Sequence, residues 1–155
     1  MTKKKRNKRP QTAYNLPQEK RPRLPPKEED LFFCWRTDHA DLSDNQWGWG
    51  WISLSEFFQK IAPKLLQFEE STWGQMIGSD QVHFFDQTDI APKAQRRLLK
   101  LIEEDVIPED WLGEDLTSIH ITGAGRIWGF KKGKYLFLLW WDPNHTVYPV
   151  EKKHT

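Results

Sequence analysis

The chain has 155 residues, enough for one domain and a tail. Its formal net charge of +1 hides a division: residues 1–30 hold ten Lys/Arg and four Asp/Glu, a balance of +6, and the other 125 hold thirteen and eighteen, a balance of −5. No apolar run approaches the roughly 18 residues of a membrane span, none follows the basic start as a secretory signal requires, and the single cysteine, Cys34, excludes an intramolecular disulfide. A reducing cytoplasmic compartment with no membrane partner is the expectation.

Residues 1–30 read as a disordered basic arm. Five of the ten prolines lie there, and only Tyr14, Leu16 and Leu24 suit a core, too little apolar surface to offset the entropy of ordering. Lys3, Lys4, Lys5, Arg6, Lys8 and Arg9 form one basic cluster; Lys20, Arg21 and Arg23 form a second. Such clusters tether a chain to RNA, DNA or a ribosome by neutralising phosphates and releasing counterions. They equally match a nuclear localisation signal or a solubilising tail. Nothing in the arm specifies a base sequence.

Residues 31–155 read as a single α+β domain. The apolar run from Leu31 to Arg36 predicts a first strand. Trp47-Gly48-Trp49-Gly50-Trp51 fits a strand or loop that lays its rings on a core, or a set of stacking platforms for bases. Ser53 and Glu56 have the spacing of a capping box. Leu54, Phe57, Phe58, Ile61 and Leu65 then follow a helical stripe, with a kink or restart expected at Pro63. Ser71 to Gly74 predicts a short helical turn ending near Gly78, and Val82 to Asp86 fits a strand or an ordered connection.

Pro92 suits the first turn of a second long helix with Ala94, Leu98, Leu99, Leu101 and Ile102 inward. Its outer face, Lys93, Arg96, Arg97 and Lys100, is either solvated or turned to RNA. The acidic end Glu103-Glu104-Asp105 opposes the helix dipole and predicts fraying before Pro108. The last third reads as a meander. Strands over Ser118–Ile121 and Arg126–Phe130 flank the Gly123–Gly125 turn, Gly133 supplies the next hairpin turn, and Tyr135–Trp141 is apolar enough for a central strand buried on both faces. After the Asp142-Pro143-Asn144 turn, Thr146–Tyr148 suits an edge strand stopped by Pro149. The expected fold is therefore an N-terminal strand, two main helices on one sheet face, and a three- to four-stranded antiparallel meander.

Most candidate sites dissolve on inspection. His39 with Asp38 and Asp41, and His83 with Asp86, lack the partners of a metal motif and read as loop residues. No metal or other cofactor is expected. Cys34 reads as an inert core thiol, and Gly123-Ala124-Gly125 as a turn. What remains is a run of 29 residues holding Arg126, Lys131, Lys132, Lys134, His145, Tyr148, Lys152, Lys153 and His154. Metal-free phosphodiester cleavage needs a base for the 2′-hydroxyl, cations for the charged phosphorane and an acid for the leaving oxygen. His and Tyr move protons, and Arg and Lys hold phosphate. The same charges would also keep an exposed sheet face soluble.

The element order resembles the RelE/ParE-type toxin superfamily, although this body is longer around Trp47 and between the helices. Gly125-Arg126-Ile127-Trp128-Gly129-Phe130 followed by Trp140-Trp141-Asp142-Pro143-Asn144-His145-Thr146-Val147-Tyr148-Pro149 resembles the C-terminus of small bacterial proteins of mobile or defence-type genes. The resemblance implies a toxin of a toxin–antitoxin or defence system: a metal-independent endoribonuclease cleaving mRNA, often on the ribosome, with a cognate antitoxin. It would set Arg126 and Lys131 or Lys132 on phosphate; Lys132 and Lys134 are also candidates for binding nucleic acid. His145 would be the acid or base, held by the Asp142-Pro143 turn beside Tyr148. Two other functions fit the residues: a non-catalytic RNA- or ribosome-binding module, and a protein–protein adaptor such as an antitoxin or immunity component.

Overall fold

Five runs rich in aromatic and β-branched residues, β1 (Cys34–Arg36), β2 (Val82–Phe85), β3 (Leu116–His120), β4 (Arg126–Lys132) and β5 (Tyr135–Asp142), pair into one sheet. Its order is β1-β5-β4-β3-β2 in a computed structural model that describes residues 27–149. β2 through β5 are antiparallel neighbours, and β1 lies parallel to β5, so the α+β fold is built on a mixed sheet. The ambiguous segment after Gln81 supplies β2. A helix separates β2 from β3, which leaves β3, β4 and β5 as the only consecutive hairpin-linked strands among the described residues.

Thr146–Tyr148 forms no edge strand. The buried Asp142 carboxylate accepts the backbone N–H of Thr146 (3.0 Å) and of Val147 (2.8 Å), donors that a strand would have offered to a neighbour. At the other end, residues read as part of the arm take defined structure. Glu28–Asp30 makes a 3-10 turn, and the carbonyl of Leu31 accepts the Trp73 N–H at 3.0 Å. The basic clusters from Lys3 to Arg23, with Lys152, Lys153 and His154, lie outside the described residues.

Helix α1 comprises Leu54–Glu56, a π-helical turn over Phe57–Ile61, and Ala62–Glu69; α2 is Trp73–Gly78 and α3 is Pro92–Glu103. The expected kink at Pro63 is replaced by the π turn, in which the Ala62 N–H reaches back five residues to the Phe57 carbonyl. The wider turn relieves the clash that a proline ring makes with the preceding turn of an α-helix. It also shifts the phase of the apolar stripe: Ile61 and Leu65 are buried, whereas Leu54 and Phe58 face solvent. The capping box at Ser53 forms by half. Ser53 accepts the Glu56 N–H at 3.0 Å, but the Glu56 carboxylate takes the Trp141 indole N–H at 3.4 Å. The reciprocal box sits instead at α2, between Thr72 and Gln75 (2.9 and 3.1 Å).

Helices cover both faces of the sheet rather than one. α1 and α2 pack with Ile119, Ile127, Leu136, Leu138 and Trp141. α3 packs with Leu116, Trp128, Phe130, Leu139 and Trp140 on the reverse. A β5 strand that is apolar at nearly every position needs cover on both sides. A bulge adjusts that strand: Leu138 opposes Gly129 and Trp140 opposes Trp128, so Leu139 is the extra residue.

Candidate functional site

Strand register brings together residues that are remote in sequence. His120 on β3 lies opposite Arg126 on β4, and Arg126 lies opposite Asp142 on β5. Side chains alternate along each strand, so this row shares the α3 face with the row Ser118, Trp128 and Trp140. His83, opposite Ser118, is on the same face one strand further out.

The segment after β5 closes over this end. Asp142 is fully buried and accepts the Thr146 hydroxyl (3.0 Å) as well as the two backbone N–H groups. Thr146 Oγ1 in turn accepts the indole N–H of Trp47 (2.9 Å) and the amide of Gln46 (3.1 Å). The carbonyl of Val147 accepts the Ala91 N–H at 2.8 Å. Tyr148 stacks on Phe85 with centroids 4.5 Å apart, and Phe85 stacks on Trp128 at 5.1 Å. These anchors hold His145 in the left-handed backbone region at φ 57°, a conformation that strains a side chain with a Cβ.

The loop after Asp142 thus brings His145 to the sheet end that carries His120 and Arg126, within electrostatic range of the His120 ring. Burial, and then the charges of Arg126, Lys64, His83 and His145, hold the His120 imidazole below its usual pKa of 6.5. Near neutral pH it is therefore an uncharged ring able to accept a proton. Burial also lowers Arg126, against a smaller opposing pull from Asp142; the guanidinium stays charged. Its Nη1 donates to the carbonyls of Thr122 (3.2 Å), Gly123 (3.2 Å) and Gly125 (3.0 Å), which fixes it over the β3–β4 turn. Two buried polar atoms on this face, His145 Nδ1 and Trp128 Nε1, have no hydrogen-bond partner among the described residues.

Of the residues expected to act together, His145, Arg126 and Tyr148 do come to one face. Lys131 does not. It is five residues from Arg126 along β4, about 16 Å at 3.3 Å per residue, and points to the α1–α2 face. There its ammonium lies over the Trp73 ring (5.0 Å) and pairs with Glu28 at 2.6 Å. Lys132 pairs with Glu114 and lies over Trp111 (4.9 Å), and Lys134 lies over Tyr135 (5.3 Å). The hairpin lysines are thus remote from His145. His120 and His83 were not singled out as partners of Arg126. Only the pairing of β2 with β3 and of β3 with β4 brings them in, although the alternation Ser118, His120 on a strand entering a tight turn was a usable signal.

The other ionisable groups are committed to structure. Arg97 turns inward and grips Asp41 through Nε and Nη2, both at 2.8 Å, while Asp41 also accepts the Trp140 indole N–H (2.9 Å) and the N–H groups of Ser43 and Asp44. Burial pushes the Asp41 carboxyl up, but the bonds from Arg97 and Trp140 outweigh it and hold it below the usual range. Asp38 pairs with Arg36 (2.7 Å), and His39 Nδ1 meets the Val106 carbonyl (2.8 Å). His83 faces Asp80 (3.5 Å), and Asp86 caps Thr88. Cys34 is a half-buried free thiol. Among the described residues no group of three or more His, Cys, Asp or Glu could hold a metal ion, and no helix is long and apolar enough to cross a membrane. Of the tryptophans in the Gly-interleaved run, Trp47 is buried, Trp49 is half-buried and Trp51 is exposed.

Comparison with protein-family models, with curated proteins and with solved structures finds no match.

Proposed function

We propose that this protein is a metal-independent endoribonuclease of toxin type, acting on mRNA in the bacterial cytoplasm, with RNA or the ribosome as target and a cognate antitoxin as protein partner. The observation that carries the reading is the assembly of His120, His145 and Arg126 at one end of the sheet, on three separate segments. His120, neutral by virtue of burial and its cationic neighbours, takes the proton of the 2′-hydroxyl. The 2′-oxygen attacks phosphorus, Arg126 offsets the charge on the phosphorane, and His145 protonates the departing 5′-oxygen. Products are a 2′,3′-cyclic phosphate and a free 5′-hydroxyl. Tyr148 serves by stacking on Phe85, which fixes the loop that carries His145. The basic clusters of residues 3–9 and 20–23 add affinity for RNA without sequence preference.

The test is cleavage of RNA by the purified chain in the presence of a chelator. His145→Ala, His120→Ala and Arg126→Ala are each expected to slow cleavage about 100-fold or more with circular dichroism unchanged. Cleavage and growth arrest that survive His145→Ala in a folded protein overturn the reading. RNA bound with a steep salt dependence, but never cleaved, would identify a tethering module instead.

A further inference from the structure

The face near α1 carries a feature that the imidazole cluster does not use. Leu42 (63% exposed), Trp51 (72%), Leu54 (77%) and Phe58 (64%) are large apolar side chains in solvent, and they adjoin one another. The Gly50 N–H bonds the Leu42 carbonyl (3.0 Å), and the Trp51 indole N–H reaches the Ser43 carbonyl (3.5 Å). Phe58 meets Phe57 edge-to-face with centroids 5.3 Å apart. Leu42 and Phe57 together line an apolar cavity of about 340 Å³, whose other walls include Trp35, Trp49 and Leu138.

The backbone beneath Trp51 is held closely. A Cβ at Gly48 would fall 2.4 Å from the Asp44 carbonyl oxygen, and one at Gly50 2.3 Å from that of Leu42. The glycines therefore let the Trp49–Trp51 turn lie directly on the backbone of residues 42–44, and Trp51 projects from a fixed base. A pre-organised aromatic side chain of this kind loses little entropy when it is covered.

We infer that this patch is the interface of a two-fold homodimer, in which Trp51 and Phe58 of each copy close the cavity walled by Trp35, Trp49 and Phe57 on the other. Projection and cavity sit side by side on one surface, the self-complementarity that an isologous contact requires. The area also matches. The four side chains expose roughly 600 Å², at the upper limit of patches on monomers. That is about the 600 Å² per partner of the smallest specific interfaces.

Sedimentation equilibrium of the full chain tests this. The expected mass is twice the 18.5 kDa of one chain. Trp51→Ser and Phe58→Ser each weaken the dimer by about 30-fold or more, as truncation of a central interface aromatic does. Leu99→Ser, which removes an exposed apolar side chain from α3 outside the patch, leaves it intact. Both patch substitutions are at solvent-facing positions, and circular dichroism confirms that they fold. A wild-type chain that stays at 18.5 kDa up to millimolar concentration overturns the proposal, even if another protein binds the patch. So does a dimer that both patch variants leave unchanged. Neither outcome bears on RNA cleavage.

Discussion

Two charged clusters share the α3 side of the sheet, and they differ in how fully their hydrogen bonds are used. At the first, Asp41 accepts five hydrogen bonds, and the guanidinium of Arg97 spans Asp41 and Ser43. At the second, His145 Nδ1 and Trp128 Nε1 lack partners among the described residues, His145 is held in a strained backbone conformation, and His120 sits among basic groups. The first cluster ties the loop of residues 37–48 to α3 and β5. The second places two histidines and an arginine at the end of the sheet that carries the β3–β4 turn. The first is a closed ion-pair network that fixes the fold, whereas the second holds titratable groups at a sheet end, the arrangement on which the proposed chemistry rests.

The contrast can be broken most directly at the first cluster. Asp41→Asn removes the nearer of the two carboxylates facing Arg97, leaving Asp44 at 3.7 Å, and is expected to cost about 1–3 kcal/mol, read from denaturant unfolding. A loss under 1 kcal/mol would mean that the pair is not the clasp described. At the second cluster, Asp142→Asn weakens the hooks on Thr146 and Val147 at a cost of about 1–3 kcal/mol. It should also slow RNA cleavage, because the loop no longer aims His145. Stability lost with cleavage intact would separate the hook from the site.

His145→Gly sharpens the comparison because its two effects have opposite signs. Glycine accepts the left-handed conformation, so the variant gains about 1 kcal/mol in stability while cleavage is lost. If unfolding shows a destabilisation instead, His145 belongs to the fold and not to a strained site. The pH dependence is smaller again. With the His120 pKa depressed in the fold, the unfolded chain takes a proton near 6.5 that the folded chain refuses. Stability therefore falls as pH drops from 6.5 towards the folded value and levels off below it, and His120→Gln removes this slope. A slope unchanged in that variant would assign the effect to another group. Least of all, Lys132→Ala breaks a partly exposed pair with Glu114 and should change stability by less than about 1 kcal/mol in a thermal melt.

Legibility differed along the chain for definable reasons. Pro92 announced α3, and Gly133 announced the β4–β5 turn, which it makes at φ 59°. Both are local signals that need no partner. The stripe from Leu54 to Leu65 misled, because a period of 3.6 assumes an unbroken α-helix and the π turn at Phe57–Ile61 inserts a residue. Arg97 misled for the same kind of reason. A charge on a helix face reads as solvated until the loop bearing Asp41 is seen to fold against it. At the site, Arg126 and His145 were recognisable by residue type, but Lys131 was grouped with them by proximity in sequence, and a strand carries residues five apart to opposite faces as well as opposite ends.

The sequence by itself determined the α+β class, the start of α3, the buried fate of the long β5 strand and the unequal charge of arm and body. Each of these follows from composition or from a period within one segment. Only the tertiary structure decided that helices cover both sheet faces, that β1 runs parallel to β5 and that Thr146–Tyr148 hooks onto Asp142 instead of pairing. It alone assembled His120, His145 and Arg126. These depend on register and on competition for hydrogen bonds between segments, which no local pattern encodes. The near-neutral total of the 155 residues is the simplest case: division by position revealed the basic arm, but only the fold showed that Lys131, Lys132 and Arg97 are already paired with acids.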